Sequence, residues 1–123
     1  MKPIIKVIIP AYNEEDSIAK VINDIPSNVD EIIVVSNNST DNTYENAARA
    51  GATVLKESRK GYGYACLHGM KYISNLEKNE LPNIIVFLDG DYSSFVYMIY
   101  IIKNWQFIRA TNDNIPVTLL IRH

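Results

Sequence analysis

The chain has little of what would tie a fold together covalently or mark a special compartment. It contains one cysteine, Cys66, and five glycines, none of them in residues 95–123. A single thiol excludes an internal disulfide and fits a reducing, cytoplasmic setting, with Cys66 reading as a small buried apolar residue. Neither sign of charge dominates: 12 Lys and Arg stand against 14 Asp and Glu, a net charge of −2. That balance lacks the basic footprint of a nucleic-acid binder. No segment approaches the roughly 20 apolar residues needed to cross a bilayer. The N-terminal apolar run Ile4–Ile9 is broken by Lys6 and followed by Pro10, so it does not read as a signal peptide. There is no internal repeat, low-complexity tract or linker.

What is present suffices for one domain. Apolar residues make up 47% of 123 residues, enough for a core. Ile4–Ile9 reads as a short, β-branched, buried strand that Pro10 closes. Glu14, Glu15 and Asp16 suit a helix start, and Ile18, Val21, Ile22 and Ile25 follow at helical spacing up to Pro26. Ile32–Val35 is a second strand. The polar turn Ser36–Asp41 then offers Thr40 or Asp41 as an N-cap for a helix over Asn42–Ala50, with Gly51 at its C-terminal cap. Thr53–Leu55 predicts a third strand, Tyr64–Leu76 a third helix and Ile84–Leu88 a fourth strand. Strands alternating with helices imply crossover connections, hence an α/β fold: a Rossmann-like parallel sheet with helices on both faces. Ligands of such sheets bind beyond the carboxyl ends of the strands. The composition changes after Ser94. Phe95–Ile102 has no charge and no turn residue, and helix and strand are equally compatible with so short an apolar run. The expected organisation is therefore an α/β region over residues 1–94 and a divergent or truncated tail over 95–123. That tail either packs on the sheet, with Ile115–Ile121 as a further strand, or exposes its apolar run to a membrane surface or a second copy.

Three clusters sit where the fourth, first and second strands end. Ile84–Leu88 runs straight into Asp89-Gly90-Asp91. Two carboxylates one residue apart repel each other, and a divalent cation relieves that repulsion. Hard oxygen ligands suit Mg²⁺ or Mn²⁺, which is commonly shared with substrate phosphates. A solvated turn with Asp91 capping a following helix fits the same residues. Pro10-Ala11-Tyr12-Asn13-Glu14 leaves the first strand, where Glu14 either favours a helix dipole or accepts hydrogen bonds from a base or sugar. Asn37 and Asn38 either contact such a ligand or serve the turn itself. Gly61-Tyr62-Gly63-Tyr64-Ala65-Cys66 starts like the dinucleotide fingerprint, but Cys66 occupies the third glycine's place and the motif does not follow the first strand. This excludes the familiar NAD loop, although the glycines still permit close backbone approach to a ligand. Lys60, with Arg59 beside it, faces either a phosphate or solvent. His68 falls on a helix face, where a structural role is the ordinary one.

Val7–Glu15, Ile33–Thr43, Lys60–Ala65 and Leu88–Ser93 occur in that order, and together they resemble the nucleotide-sugar-binding half of a family 2 glycosyltransferase with the GT-A fold. The nearest likeness is to polyprenyl- and dolichyl-phosphate sugar synthases, over about Lys6 to Ser94. The resemblance implies that Pro10, Ala11, Tyr12 and Glu14 line a uridine or guanosine pocket and that Asn37, Lys60 and Gly61 lie near the nucleotide. It implies that Asp89 and Asp91 bind Mg²⁺ or Mn²⁺ through the diphosphate. It further implies a UDP- or GDP-sugar donor, an inverting transfer to a polyprenyl phosphate or glycan, and a cytoplasmic site, peripheral to the membrane if residues 95–102 touch it.

The chain departs from that pattern in three places. Ser36 and Asn37 replace common aspartates. Ser93-Ser-Phe-Val-Tyr97 stands where a Tyr-Pro-Glu-like turn is usual. No later motif resembles an acceptor half. Two competing readings follow: a donor-binding module without turnover, or a half-enzyme that needs a partner chain. A nucleotidyltransferase is a third, but it calls for a glycine-rich basic loop after the first strand, which Pro10–Asn13 is not.

Overall fold

A computed structural model describes residues 2–88, residue 90 and the backbone of residues 97–101. The strands are β1 (Ile5–Ala11), β2 (Glu31–Asn37), β3 (Thr53–Glu57), β4 (Ile84–Leu88) and β5 (Tyr97–Ile101), and the helices are α1 (Ile18–Asn23), α2 (Thr43–Arg49) and α3 (Tyr62–Ser74). They form one sheet in the order β3-β2-β1-β4-β5. β1 to β4 run parallel, and β5 lies antiparallel along β4, with Leu88 opposite Tyr97 and Ile84 opposite Ile101. The α/β architecture expected from the alternation is therefore present, and the ambiguous apolar run after Ser94 contains a strand.

Both faces of the parallel part are covered, which is why its strands read as unbroken apolar runs. Alternate side chains point to opposite faces. Ile8, Ile33, Val35, Ile85 and Phe87 pack with Ala65, Cys66, Met70 and Ile73 of α3. Val7, Ile9, Val34 and Leu88 pack with Ile18, Val21 and Ile22 of α1 and Ala47 of α2. Each fully buried aliphatic side chain of this kind contributes about 1.5–3 kcal/mol. The topology explains the helix placement. Two right-handed crossovers step from β1 to β2 to β3 and leave α1 and α2 on one face. The return from β3 to β4 reverses direction and sets α3 on the other.

Several boundaries differ from expectation. Pro10 does not end β1, which continues to Ala11 opposite Ser36. Ile5 O accepts from Asp30 on the β2 side, whereas Ile4 O accepts from Ile84 on the β4 side. Even-numbered residues of β1 therefore face β4, whose pairing stops at Ile8 opposite Phe87. Proline has no N–H to carry that ladder further on the β4 side. α1 begins at Ile18 with no acid in its first turn, so Glu14, Glu15 and Asp16 precede it. α2 begins behind Asn42, although Asp41 supplies a capping bond, its Oδ1 accepting from Thr43 N at 2.9 Å. Gly51 stands just beyond Ala50 with φ +99°, the left-handed residue that ends α2. Cys66 is buried at 1% exposure, and burial pushes its thiol up to about 12. Asp89, Asp91, residues 92–96 and the expected strand Ile115–Ile121 lie outside the described residues.

Candidate functional site

β1 and β4 lie side by side in the sheet where the strand order turns back, and the carboxyl edge at such a point is where open α/β sheets form a crevice. Pro10 and Ala11 are buried there, Glu14 is half-buried, and Tyr12 projects with 61% exposure. Gly90 is pressed into the same corner. A Cβ on it would stand 3.3 Å from Ala11 Cβ, Glu14 Cγ and Pro10 O alike. The Ser17 hydroxyl donates to Gly90 O at 2.8 Å and lies 3.2 Å from Glu14 Oε2, so one side chain links the end of β4 to the exit of β1. A side chain here would crowd the corner, and the residue that makes this close approach is the one between the two aspartates in sequence.

A knot of side chains joins the exits of β1 and β2. Asn13 has φ 50°, and its Oδ1 accepts from Thr40 N at 2.9 Å while its own N–H donates to Ser39 Oγ at 3.1 Å. Glu14 N donates to Thr43 Oγ1 at 2.8 Å, and the Thr43 hydroxyl donates to Asp41 Oδ1. Glu15 N reaches Asp41 Oδ2 at 3.3 Å, and Asn42 N returns a bond to Glu15 Oε2 at 3.0 Å. Burial alone would raise the Asp41 carboxyl, but the donors from Thr43 and Glu15 outweigh it and hold the group below the usual aspartate range.

The exits of β2 and β3 are joined by Asn37, buried at 7% exposure. Its Nδ2 donates to Arg59 O at 2.8 Å and Gly61 O at 3.1 Å, and its Oδ1 accepts from Gly61 N at 3.4 Å and Asn38 Nδ2 at 3.3 Å. Buried Glu57 binds the same loop from below, accepting from Arg59 Nη2 at 2.6 Å, Nε at 3.1 Å and N at 3.2 Å. Those Arg59 bonds, working against burial, keep Glu57 ionised below the usual glutamate range. The Arg59 guanidinium also lies 4.5 Å from the Tyr64 ring centroid. Of the two cations considered for a phosphate, Arg59 is thus engaged, while Lys60 is exposed and makes no bond among the described residues. His68 lies on α3 with its Nδ1 3.9 Å from Glu57 Oε1, beyond hydrogen-bond length. A hollow of about 330 Å³ opens beside this edge, lined by Ser36, Asn38, Asp41, Tyr44, Lys56 and Glu57 among others. Pro10, Ala11, Tyr12 and Lys60 do not line it.

The structure thus places Pro10, Ala11 and Glu14 around Gly90, and Asn37 against Gly61 with Lys60 between two fixed residues. Tyr12 stands exposed above the end of β1. Asp89 and Asp91 themselves lie outside the described residues, and among the described ones no group of three or more His, Cys, Asp or Glu is disposed to hold a metal ion. Sequence reasoning did not find Ser17, Thr43 or Glu57. Thr43 carried a local signal, two residues after the cap Asp41. Its bond to Glu14 N spans 29 positions, and the Ser17 bond to Gly90 spans 73, so neither leaves a trace in spacing.

Comparison with known proteins points one way. Residues 6–102 match the family described as Glycosyl transferase family 2. Protein RfbJ of Shigella flexneri is 42% identical over 89 residues, covering 71% of this chain and 64% of that protein. An uncharacterized glycosyltransferase of Mycobacterium bovis is 35% identical over 96 residues, covering 69% of this chain and 44% of the relative. Among solved structures, glucosyl-3-phosphoglycerate synthase of Mycobacterium tuberculosis in complex with Mn²⁺, UDP and phosphoglyceric acid superposes with a TM-score of 0.60 at 32% identity, over 72% of this chain and 33% of that one. The same enzyme with Mg²⁺ and UDP gives 0.59. The chain therefore spans about two thirds of RfbJ and about one third of the synthase.

Proposed function

This chain belongs to glycosyl transferase family 2 and has the GT-A fold, and we propose that it forms the donor-binding part of a metal-dependent, inverting glycosyltransferase. The donor is a nucleoside-diphosphate sugar, UDP-linked in the first instance because the similar synthase was solved with UDP. The acceptor is a phosphate-bearing molecule, a lipid phosphate or a glycan intermediate. The observation that carries this reading is the seat of Gly90, where an added Cβ would stand 3.3 Å from Pro10 O, Ala11 Cβ and Glu14 Cγ. It ties Gly90, which stands between Asp89 and Asp91 in sequence, to the exit of β1, at the edge where open α/β sheets take their ligands.

A Cβ-free cradle flanked in sequence by two hard-oxygen ligands suits Mg²⁺ or Mn²⁺, with Asp89 and Asp91 as the residues that would hold it. A metal held there would offset the negative charge that develops on the leaving diphosphate. The chain's own groups do the rest. Tyr12 offers an open aromatic face to a base. Lys60, unpaired among the described residues, adds positive charge where diphosphate charge builds up. Glu14, oriented by Ser17 and by its backbone bond to Thr43, presents acceptor oxygens to donor groups on base or ribose. A phosphate acceptor is already anionic at neutral pH and needs no general base to attack the anomeric carbon, whereas a hydroxyl acceptor does.

The test is a thermal-shift panel of UDP, GDP and their sugars with and without Mn²⁺. UDP at a hundredfold excess over its dissociation constant stabilises by about 2.7 kcal/mol, or roughly 10 °C for a domain of this size. Chelation of the metal removes most of that shift. Asp91→Ala removes it too while leaving the melting temperature of the free protein in place. Undiminished affinity for UDP and Mn²⁺ in Asp91→Ala, read by calorimetry, counts against the metal role. No shift with any nucleotide overturns the donor reading. Nucleotide binding without sugar transfer assigns the chain to the module that works with a partner.

A further inference from the structure

Resting on the reading that this edge takes a nucleoside diphosphate, we propose that Asn37 is a positioning residue: it fixes the loop carrying Lys60, through donors that an aspartate does not have. A side-chain amide has two N–H donors and one carbonyl oxygen with two lone pairs. In Asn37 all four are used. The donors go to Arg59 O and Gly61 O, and the oxygen takes Gly61 N and Asn38 Nδ2. The residue is buried at 7% exposure, so no capacity is left to read a base. Lys60 sits between two anchored residues. Before it, Arg59 is bound by Asn37 through its carbonyl and by Glu57 through its N–H and guanidinium. After it, Gly61 is held at both backbone groups in a left-handed conformation, φ +124°, that other residues adopt only under strain. The Lys60 side chain is exposed and free of bonds among the described residues, available to meet a ligand.

The choice of asparagine follows from the two carbonyls. An aspartate in its place would set carboxylate oxygens against Arg59 O and Gly61 O in a buried site, acceptor facing acceptor. Only its protonated form could donate, through one O–H, so its pKa would rise and one of the two donor bonds would return as pH falls. A residue that reads the base would behave otherwise. Its substitution would alter the preference between UDP and GDP and leave the loop in place.

The experiment compares the 123-residue chain with Asn37→Asp by amide hydrogen exchange over residues 58–63 and by calorimetry with UDP and with GDP in Mn²⁺, between about pH 5 and pH 8. At neutral pH the variant is expected to lose protection in the loop and to bind UDP and GDP more weakly by one common factor, about tenfold for the lost bonds. The ratio of variant to wild-type affinity recovers toward the acid end, in step with loop protection. Unchanged protection overturns the proposal, and so does a loss confined to one base. If wild type binds no nucleotide, the donor reading fails, and loop protection still decides the role of Asn37. Should Asn37→Asp not fold, Asn37→Ser, which keeps one donor, is expected to lose part of the protection with no acid recovery. Full protection in Asn37→Ser again overturns the proposal.

Discussion

Asn13 shows how much a single polar residue does where β1 hands over to the site. Its φ of 50° is a left-handed conformation that costs most residues about 1 kcal/mol, and asparagine tolerates it better than most. Its side chain then accepts from Thr40 N at 2.9 Å and holds the β2 turn against the β1 turn. Both contributions vanish in Asn13→Ala, which is expected to lose about 1–2 kcal/mol in urea unfolding. Asn13→Gly removes the bond and keeps the backbone easy, so it should recover roughly half of that. Equal losses in the two variants would show that the bond to Thr40 is the whole effect. Sequence reasoning recognised the asparagines of Ser36–Asp41 as turn formers, and Asn38, with φ 56°, is one. It did not see that Asn13 and Asn37 are cross-braces, because their partners are 27 and 22–24 positions away.

Among the elements, α3 packs tightly on β1 where Gly69 meets Ile8. A Cβ there would stand 2.8 Å from Ile8 Cγ2 and 3.1 Å from its Cδ1. Ile8 is fully buried and branched at Cβ, so it has neither space nor a free rotamer for retreat. Alanine gains about 1 kcal/mol of helix propensity over glycine, whereas overpacking a core costs about 1–3 kcal/mol. Packing wins on these magnitudes. Gly69→Ala is expected to lower the urea midpoint without changing the slope of the transition, and an increase in stability would show that α3 rides higher on β1 than described. The elements were legible because strands buried on both faces leave continuous apolar runs, and β4 was read to the residue. Ends were harder. Gly61-Tyr62-Gly63 reads as loop, yet α3 starts at Tyr62, since burial of Ala65, Cys66 and Met70 outweighs the glycine in its first turn. The run from Tyr97 to Ile101 has no periodicity of its own, and its pairing with β4 is what makes it a strand.

Across the described molecule the sheet is polarised, with the candidate site at the carboxyl edge and a half-buried ionic cluster at the opposite one. Glu31, at the start of β2, accepts from Lys6 Nζ of β1 at 2.8 Å, Thr53 Oγ1 of β3 at 2.8 Å and Tyr72 OH of α3 at 2.6 Å. None of this was legible, because each of the four residues reads alone as a solvated side chain, and only the parallel register brings Lys6 opposite Glu31. Burial raises the Glu31 carboxyl, but the donors from Lys6, Tyr72 and Thr53 outweigh it and set its pKa below the usual 4.5. A carboxyl depressed in the folded state adds stability that is complete above its unfolded value and is lost as pH falls toward the folded one. Asp41 and Glu57 are depressed as well, so acid destabilises the protein through several groups at once. The share of Glu31 therefore has to be read as a difference. Glu31→Gln keeps the shape, removes the charge and leaves Lys6, at 7% side-chain exposure, without its counter-ion. At pH 7 the variant should be less stable by about 1–3 kcal/mol. As pH falls below the usual glutamate value of 4.5 and through the lower folded one, the wild type gives up the same contribution by protonation, and the gap between the two urea curves should close. A gap that stays constant over that range would mean that the cluster contributes shape rather than charge.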